Sequence, residues 1–316
     1  MATASAAPHR PYGRFPTTSQ TTNGEAMTAS ISLGTKSNPT IKPPKLNVVP
    51  VRHYGRGTFA VIVCVLLVLA IKGLIENPNF DWAVVGKYMF NGAVLQGLVS
   101  TLLITVVSLV CILIVSVVIA VMRISKSRIL SSFAAGYSFF FRAVPPIVLL
   151  IFIGNIGLFF KNFELGIPFT DVMLFSVPVR DVMTPFLASV IGLTLAGSGY
   201  VSEIIRAGLI SVGRGQHEAA AALGLGGGQA LQYIILPQAL KVLVPPLGNE
   251  CIGLIKTVAL VSVIGGGDIL TVANAIGANT FRPLEMLMVV AIWYLIVVAV
   301  MSIGQSFLER RINKER

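Results

Sequence analysis

The sequence predicts an all-α polytopic membrane protein of about six transmembrane helices, and three observations predict it. The chain is 54% hydrophobic and only 12% charged, with a mean hydropathy of +0.82, whereas a soluble domain carries about a quarter charged residues. The apolar residues fall into long runs, one of which, Tyr88 to Met122, contains no charged side chain at all. The loops between the runs alternate between strongly basic and mixed in sign.

Residues 1–56 are rich in Thr, Ser, Pro and Gly and carry no sustained apolar period, so they are expected to form a disordered cytoplasmic tail. Within it, Met27 opens MTASISLG and is a candidate translation start. The first apolar run, Phe59 to Ile71, closes with Lys72; its glycine-containing flanks extend it to 57–76, long enough for an N-terminal transmembrane helix. A secretory signal is disfavoured by the long preceding tail and by the lack of a small-residue cleavage site. The charge-free run Tyr88 to Met122 exceeds the ~30 Å hydrocarbon core at ~1.5 Å per residue. Its first turns, near Phe90-Asn91-Gly92, are therefore expected at the interface. Further spans are expected at about Phe133 to Phe160, Pro185 to Ala207, Val242 to Ile264 and Leu284 to Phe307. The transmembrane domain then covers 88–311, followed by a short cytoplasmic tail, 312–316. Gly265-Gly266-Gly267 is expected to end the fifth span near the outer face, and Trp293 and Tyr294, mid-span, to serve packing.

Lys and Arg in the loops orient the chain. The N-terminal tail holds Arg10, Arg14, Lys36, Lys42, Lys45, Arg52 and Arg56. The loop after the second span holds Arg123, Lys126 and Arg128 with no acid, Arg206, Arg214 and Lys241 flank the segment 212–237, and the C-terminus holds Arg310, Arg311, Lys314 and Arg316. The alternate loops mix signs: Glu76, Asp81 and Lys87; then Lys161, Glu164, Asp171, Arg180 and Asp181; then Asp268, Arg282 and Glu285. Every second loop is the basic one, which puts both termini and 212–237 on the cytoplasmic side. The net charge of +11 is thus explained by membrane orientation. Nucleic-acid binding would need a basic face with interleaved aromatics, and no such face is evident. Cys64, Cys111 and Cys251 lie within apolar runs, show no CxxC spacing and are expected to be small buried hydrophobes. His9, His53 and His217 are too scattered to suggest a metal site.

The segment Glu218 to Pro237, EAAAALGLGGGQALQYIILP, lies between two membrane-grade runs. The Ala-rich stretch Gln216 to Leu223 favours a short helix, with Glu218 near its start favoured by the helix dipole. Gly224 to Gly228 then stops it. Such a short, small-faced helix between two spans is suited to a groove on a soluble partner. Glu218-Ala219-Ala220, Gly224 six positions on, Ile234 and Leu236-Pro237 reproduce the spacing of the cytoplasmic "EAA" loop of bacterial ATP-driven importers.

Around that loop the chain resembles the permease subunits of the polar amino-acid uptake family of ABC importers, which contains the histidine, glutamine and arginine permeases. The resemblance covers roughly Phe90 to Arg311. Gly97-Leu98 with Thr101-Leu102 is similar to the family's "GL-x-x-TL", and Arg142-Ala143-Val144-Pro145 to its "RGTP". Tyr200 through Gly208 resembles "Y-x-x-E-x-x-R-G-G", and Gly215-Gln216-His217-Glu218-Ala219-Ala220 resembles "GQ-x-EAA". Pro245 to Glu250 and Leu260 to Ile264 continue the match. Two departures, RAVP for "RGTP" and Lys256-Thr257-Val258-Ala259-Leu260 for "K-D-T-S-L", fall within the membrane, where they bear on substrate identity.

The resemblance implies a five-helix type I importer core preceded by one extra helix, located in the bacterial inner membrane. It implies that Gly215, Gln216, Glu218, Ala219, Ala220, Gly224, Leu236 and Pro237 couple the chain to a separate ATPase. The implied partners are two ATP-binding subunits, a second permease subunit (this chain again or a paralogue), an extracytoplasmic solute-binding protein and an amino-acid substrate. The chain has no GxxxxGK[ST] phosphate loop, so ATP and Mg would be bound by the partner, with no cofactor or catalytic residue here.

Five polar residues are candidates for the substrate path. Arg142 stands in an otherwise charge-free stretch before Pro145-Pro146, and an intramembrane charge beside a helix break is a functional candidate; a structural pair with Glu203 or Glu250 is the competing reading. Glu203 and Arg206, three apart, share a helical face and can pair, for structure or for gating. Glu250 and Lys256, six apart, point to different faces, and Asn249 adds a neutral donor and acceptor. An amino acid presents a carboxylate and an ammonium, which Arg142 or Lys256 together with Glu250 would complement. An ion-gradient-driven secondary transporter is the alternative function, though that class more often shows an internal repeat across its halves. A membrane-embedded enzyme would need clustered His, Asp or Ser-Lys residues, which the sequence does not offer.

Overall fold

A computed structural model of the chain describes residues 54–166 and 173–313. The expected tail up to residue 53, with Met27, and residues 314–316 lie outside the described residues. Two compact units divide the chain, 1–59 and 60–316, and of the first only the opening turns of α1 are described.

Helix α1 (Tyr54–Ile75) is aliphatic all round, and its described side chains are exposed, as suits a helix whose surroundings are lipid. A break follows before α2 (Trp82–Met89), capped by the Asp81 carboxylate, which accepts from the Ala83 N–H at 2.9 Å. At Phe90-Asn91-Gly92, where the first turns of one long run are expected at the interface, the chain instead ends one helix and starts another. Asn91 Oδ1 accepts from the Ala93 N–H at 2.9 Å and starts α3 (Gly92–Ile124).

The expected single span from Phe133 to Phe160 is instead two helices, α4 (Arg128–Ala143) and α5 (Pro146–Gly154), bent by 96°. Pro145 and Pro146 cause the bend. Each forces the residue before it into extended backbone, Val144 at φ −81, ψ 127 and Pro145 at φ −58, ψ 135. Pro146 then supplies a ready N1 residue for α5.

An antiparallel hairpin of β1 (Asn162–Gly166) and β2 (Met173–Pro178) follows, a small departure from the all-α expectation. After the short α6 (Val179–Val182), Thr184 Oγ1 accepts from the Leu187 N–H and starts α7 (Pro185–Ile210). Helix α8 (Arg214–Ala222) leads to α9 (Gly227–Ala230), which runs through a π-helical turn, Leu231–Ile235, into α10 (Leu236–Thr257) and a 3-10 extension, Val258–Ile264. This helix therefore begins at Gly227 rather than at the expected Val242. Gly265 (φ 69) and Gly267 (φ 76) turn the chain at the expected glycines. The fully buried Asp268 then caps α11 (Ile269–Thr280), accepting from the Leu270 and Thr271 N–H groups. Burial pushes the Asp268 carboxyl above its ordinary range. Helix α12 (Pro283–Asn313) completes the described fold.

Among the described residues, four helices are long and apolar enough to cross a membrane, or five if the bent α4–α5 pair is one span. The apolar stretch of α1, Thr58–Gly73, is shorter. The central core joins α3, α5, α7 and α10 through Ile104, Ile112, Leu150, Leu193, Val201 and Leu254. A second cluster joins α2, α3, α11 and α12, where Trp293 Nε1 donates to the Met89 carbonyl at 2.9 Å. Small residues set the spacing of α3 and α7: a Cβ on Gly197 would lie 2.6 Å from Ile112 Cδ1. The cysteines depart from expectation, since Cys64 is exposed and Cys111 and Cys251 are only half-buried.

Candidate functional site

Two cavities meet at one side chain, Tyr200. The first, of about 270 Å³, lies between α3, α5, α7 and α10; Leu109, Ile112, Pro146, Leu193, Tyr200, Glu250 and Thr257 are among its walls. Glu250, half-buried, is the one ionisable carboxylate or cation among its lining residues. The second, of about 390 Å³, lies between α3, α4 and α7, and is lined by Arg123, Ser138, Arg142, Tyr200 and Glu203 among others. The structure thus brings Arg142 and Glu203 together and places Glu250 in the adjoining cavity.

Glu203 and Arg206 form the expected ion pair along one face of α7. Arg206 Nε donates to both carboxylate oxygens at 3.0 Å, and Nη2 closes on Oε1. Arg142 forms no ion pair among the described residues, so the anticipated structural pair with Glu203 or Glu250 is absent there. Its guanidinium instead lies over the Tyr200 ring, 5.5 Å from the centroid. The Tyr200 hydroxyl donates to the Arg142 carbonyl at 3.1 Å. That carbonyl is free because its helical partner four residues on, Pro146, has no N–H.

A seam of hydroxyls continues this α4–α7 contact: Tyr137 Oη to Ser198 Oγ at 2.7 Å and Ser138 Oγ to Ser202 Oγ at 3.2 Å. Asn249 turns away from both cavities and accepts from Gln305 Nε2 at 3.2 Å. Lys256 is exposed and lines neither cavity, so it and Glu250 do point to different faces. Sequence reasoning missed Tyr200 as an individual residue. Its one legible signal is a proline four residues after Arg142, which leaves a carbonyl needing a donor.

On the side facing the 212–237 loop, α8 begins at Arg214, two residues earlier than expected. Glu218 therefore sits in the second turn, where the helix dipole has largely faded. Gly215, Gln216, Glu218 and Ala219 are exposed, while Ala220 is buried among Val212, Ala230, Ile235, Ala239 and Leu243. The Gly224 N–H donates to the Ala221 carbonyl at 3.0 Å and the Leu225 N–H to the Ala220 carbonyl at 3.1 Å, a Schellman ending with Gly224 at φ 72. Gln238 Nε2 donates to Gln216 Oε1 at 3.1 Å, tying α8 to the first turn of α10, where Leu236 and Pro237 are exposed.

Comparison with known proteins places this architecture. Residues 112–314 match the model of the binding-protein-dependent transport system inner membrane component family. The arginine transport system permease protein ArgU of Corynebacterium glutamicum is 33% identical over 276 residues, covering 87% of this chain and 85% of its own. The arginine transport system permease protein ArtQ of Bacillus subtilis is 35% identical over 220 residues, covering 70% and 92%. Among solved structures, an amino acid ABC transporter matches with a TM-score of 0.61 at 33% identity, covering 73% of this chain and 98% of that one. An inward-facing methionine ABC transporter, at 20% identity and a TM-score of 0.52, shares the fold. The chain belongs to the family of inner membrane components of binding-protein-dependent transport systems, as a multi-pass membrane protein with the type I ABC importer permease fold.

Proposed function

We propose that this chain is the non-catalytic translocation subunit of an ATP-driven importer of amino acids or similar polar solutes, working by alternating access in the bacterial inner membrane. The observation that carries the reading is the coexistence of an exposed, Ala-rich α8 between two membrane helices with a mid-bundle cavity holding a lone carboxylate. Relatives named as arginine permeases support the solute class. In this reading both termini and α8 face the cytoplasm, and two partner ATPases bind ATP and Mg. Gly215, Gln216, Glu218, Ala219, Gly224, Leu236 and Pro237 form the docking surface, while Ala220 holds the helix to its own subunit. A second permease subunit completes the path, and an external binding protein delivers the solute. ATP-driven closure of the ATPases draws the α8 helices together and switches a bistable membrane assembly between its two facings. In this reading Glu250, Arg142 and Glu203 line the solute path, and Asn249 and Lys256, which line neither cavity, stand outside it.

Affinity capture of the tagged chain from native membranes in mild detergent tests this. An ATP-binding subunit is expected at near-equal amount and reduced by Gly224→Ala, which forces a residue with a Cβ into left-handed backbone at a strain of about 1–2 kcal/mol. Recovery of the fully folded chain without any ATPase, across several detergents, would overturn the reading and favour gradient-driven transport.

A further inference from the structure

Among the described residues, Tyr200 alone lines both cavities, and the cavities differ in charge. Glu250 lines the first. Arg123 and Arg142 line the second, while the carboxylate there, Glu203, is already neutralised by Arg206. A zwitterionic solute moving between the cavities would therefore leave a site suited to its ammonium and enter one suited to its carboxylate, with the phenol between them.

We propose that Tyr200 is the partition of the transport path, separating the acidic cavity from the basic one, and that the two join when its hydroxyl leaves the Arg142 carbonyl. The inference rests on the reading that both cavities belong to one solute path. The ring is held by the hydrogen bond to the Arg142 carbonyl and by the Arg142 guanidinium over its face. It is 43% exposed, so packing does not lock it. The neighbouring residue Gly199 lets α4 come close: a Cβ there would meet Phe141 Cβ at 3.2 Å and Arg142 Cγ at 3.3 Å. That approach brings the Arg142 backbone within reach of the phenol. The proline that frees the carbonyl, Pro146, is itself a wall of the acidic cavity. One break between α4 and α5 thus supplies both the latch and part of the chamber it closes. Ring rotation needs only one hydrogen bond to break, whereas moving α4 would disturb the whole hydroxyl seam with α7.

The test uses a cysteine reporter in the acidic cavity, Thr257→Cys, with Cys64, Cys111 and Cys251 replaced by Ala. Full-length protein in inside-out vesicles is labelled with a membrane-impermeant maleimide. With Tyr200 present the reporter should label slowly. Tyr200→Phe, which keeps the ring but loses one hydrogen bond, should label about fivefold faster. Tyr200→Ala, which removes the ring, should label more than about tenfold faster. Tyr200→Trp should label no faster than the parent. Equal rates for the parent and Tyr200→Ala, with full labelling of both after denaturation in SDS, would overturn the partition. The solute reading fails separately: labelling that responds to Tyr200 while the parent takes up no amino acid keeps the partition and discards the proposed cargo.

Discussion

Helices α7 and α10 cross at Gly208, and the crossing sets how α8 is suspended beneath them. A Cβ at Gly208 would lie 2.3 Å from Leu243 Cδ2 and 2.4 Å from Cγ, where carbon atoms normally sit about 3.5–4.0 Å apart. Leu243 is 4% exposed, in a cluster with Val212, Ala220, Ile235 and Ala239, and has no open space to turn into. Gly208→Ala must therefore separate the helices by about 1 Å or drive Leu243 off its rotamer, at about 1–3 kcal/mol. Fluorescence-detected thermal unfolding in mild detergent should register a fall of about 2–12 °C in Tm. Leu243→Ala alone also destabilises, by about 2–5 kcal/mol through the cavity it leaves. In the Gly208→Ala background, however, it removes the clashing atoms, so the double variant should be more stable than the sum of the singles by about 1–3 kcal/mol. A Gly208→Ala protein melting with its parent, or a strictly additive double variant, would show that the helices do not meet there and refute the argument.

Two further outcomes follow from single contacts. Glu250→Gln removes the one carboxylate of the first cavity while keeping its shape; in uptake assays KM for a cationic amino acid should rise about tenfold or more, with a smaller change for a neutral one, and equal changes for both would argue against ammonium or guanidinium recognition there. Trp293→Phe keeps an aromatic side chain, smaller than the indole, and leaves the Met89 carbonyl without its donor, which alone costs about 1–2 kcal/mol. Hydrogen exchange in α2 should then accelerate by about fivefold or more; unchanged protection would mean that Trp293 acts by packing alone.

The family and the membrane architecture were legible because both are written in local chemistry. Charge-free runs can only be satisfied in lipid, and the interval from Glu218 through Gly224 to Pro237 maps onto a helix, a left-handed glycine and a restart. The α2–α3 boundary was half-legible: a run too long for one span put its first turns at the interface, but the new helix capped by Asn91 is seen only in the structure. The α4–α5 bend was half-legible: Pro145 and Pro146 announce a break, but hydropathy counts residues and does not see a 96° change of direction. The start of α10 was misplaced because Gly224 to Gly228 read as a stop, whereas Gly227 and Gly228 are the first residues of α9, with Gly226 as its N-cap and the Gln229 side chain accepting from the Gly226 N–H at 3.2 Å. Which polar residues face one another across two helices was not legible. Glu203 and Arg206 are neighbours on one helix and could be paired by counting, but Tyr200 and Arg142 are 58 residues apart. Their contact depends on the bend, on Gly199 and on a carbonyl that only a proline leaves open.

The way α8 is fastened decides what a pull upon it can do. Its polar residues are exposed, but Ala220 is sealed against Val212 after α7 and against Ile235, Ala239 and Leu243 on the α9–α10 helix. Gln238 adds a hydrogen bond to Gln216, and the Schellman ending leaves α8 no slack at Gly224. A displacement of α8 is therefore carried into α7 and α10 together, since they touch with no side chain at Gly208 to cushion them. These two helices also bear Tyr200 and Glu250. The contact of α7 with α3 is tight around Gly197 and Ile112, and its contact with α4 combines the hydroxyl bonds with the close approach at Gly199. When the proposed ATPases draw on α8, the movement therefore reaches both helices that carry the partition and its acidic cavity, and the bond it has to break there is the single one from the Tyr200 hydroxyl to the Arg142 carbonyl.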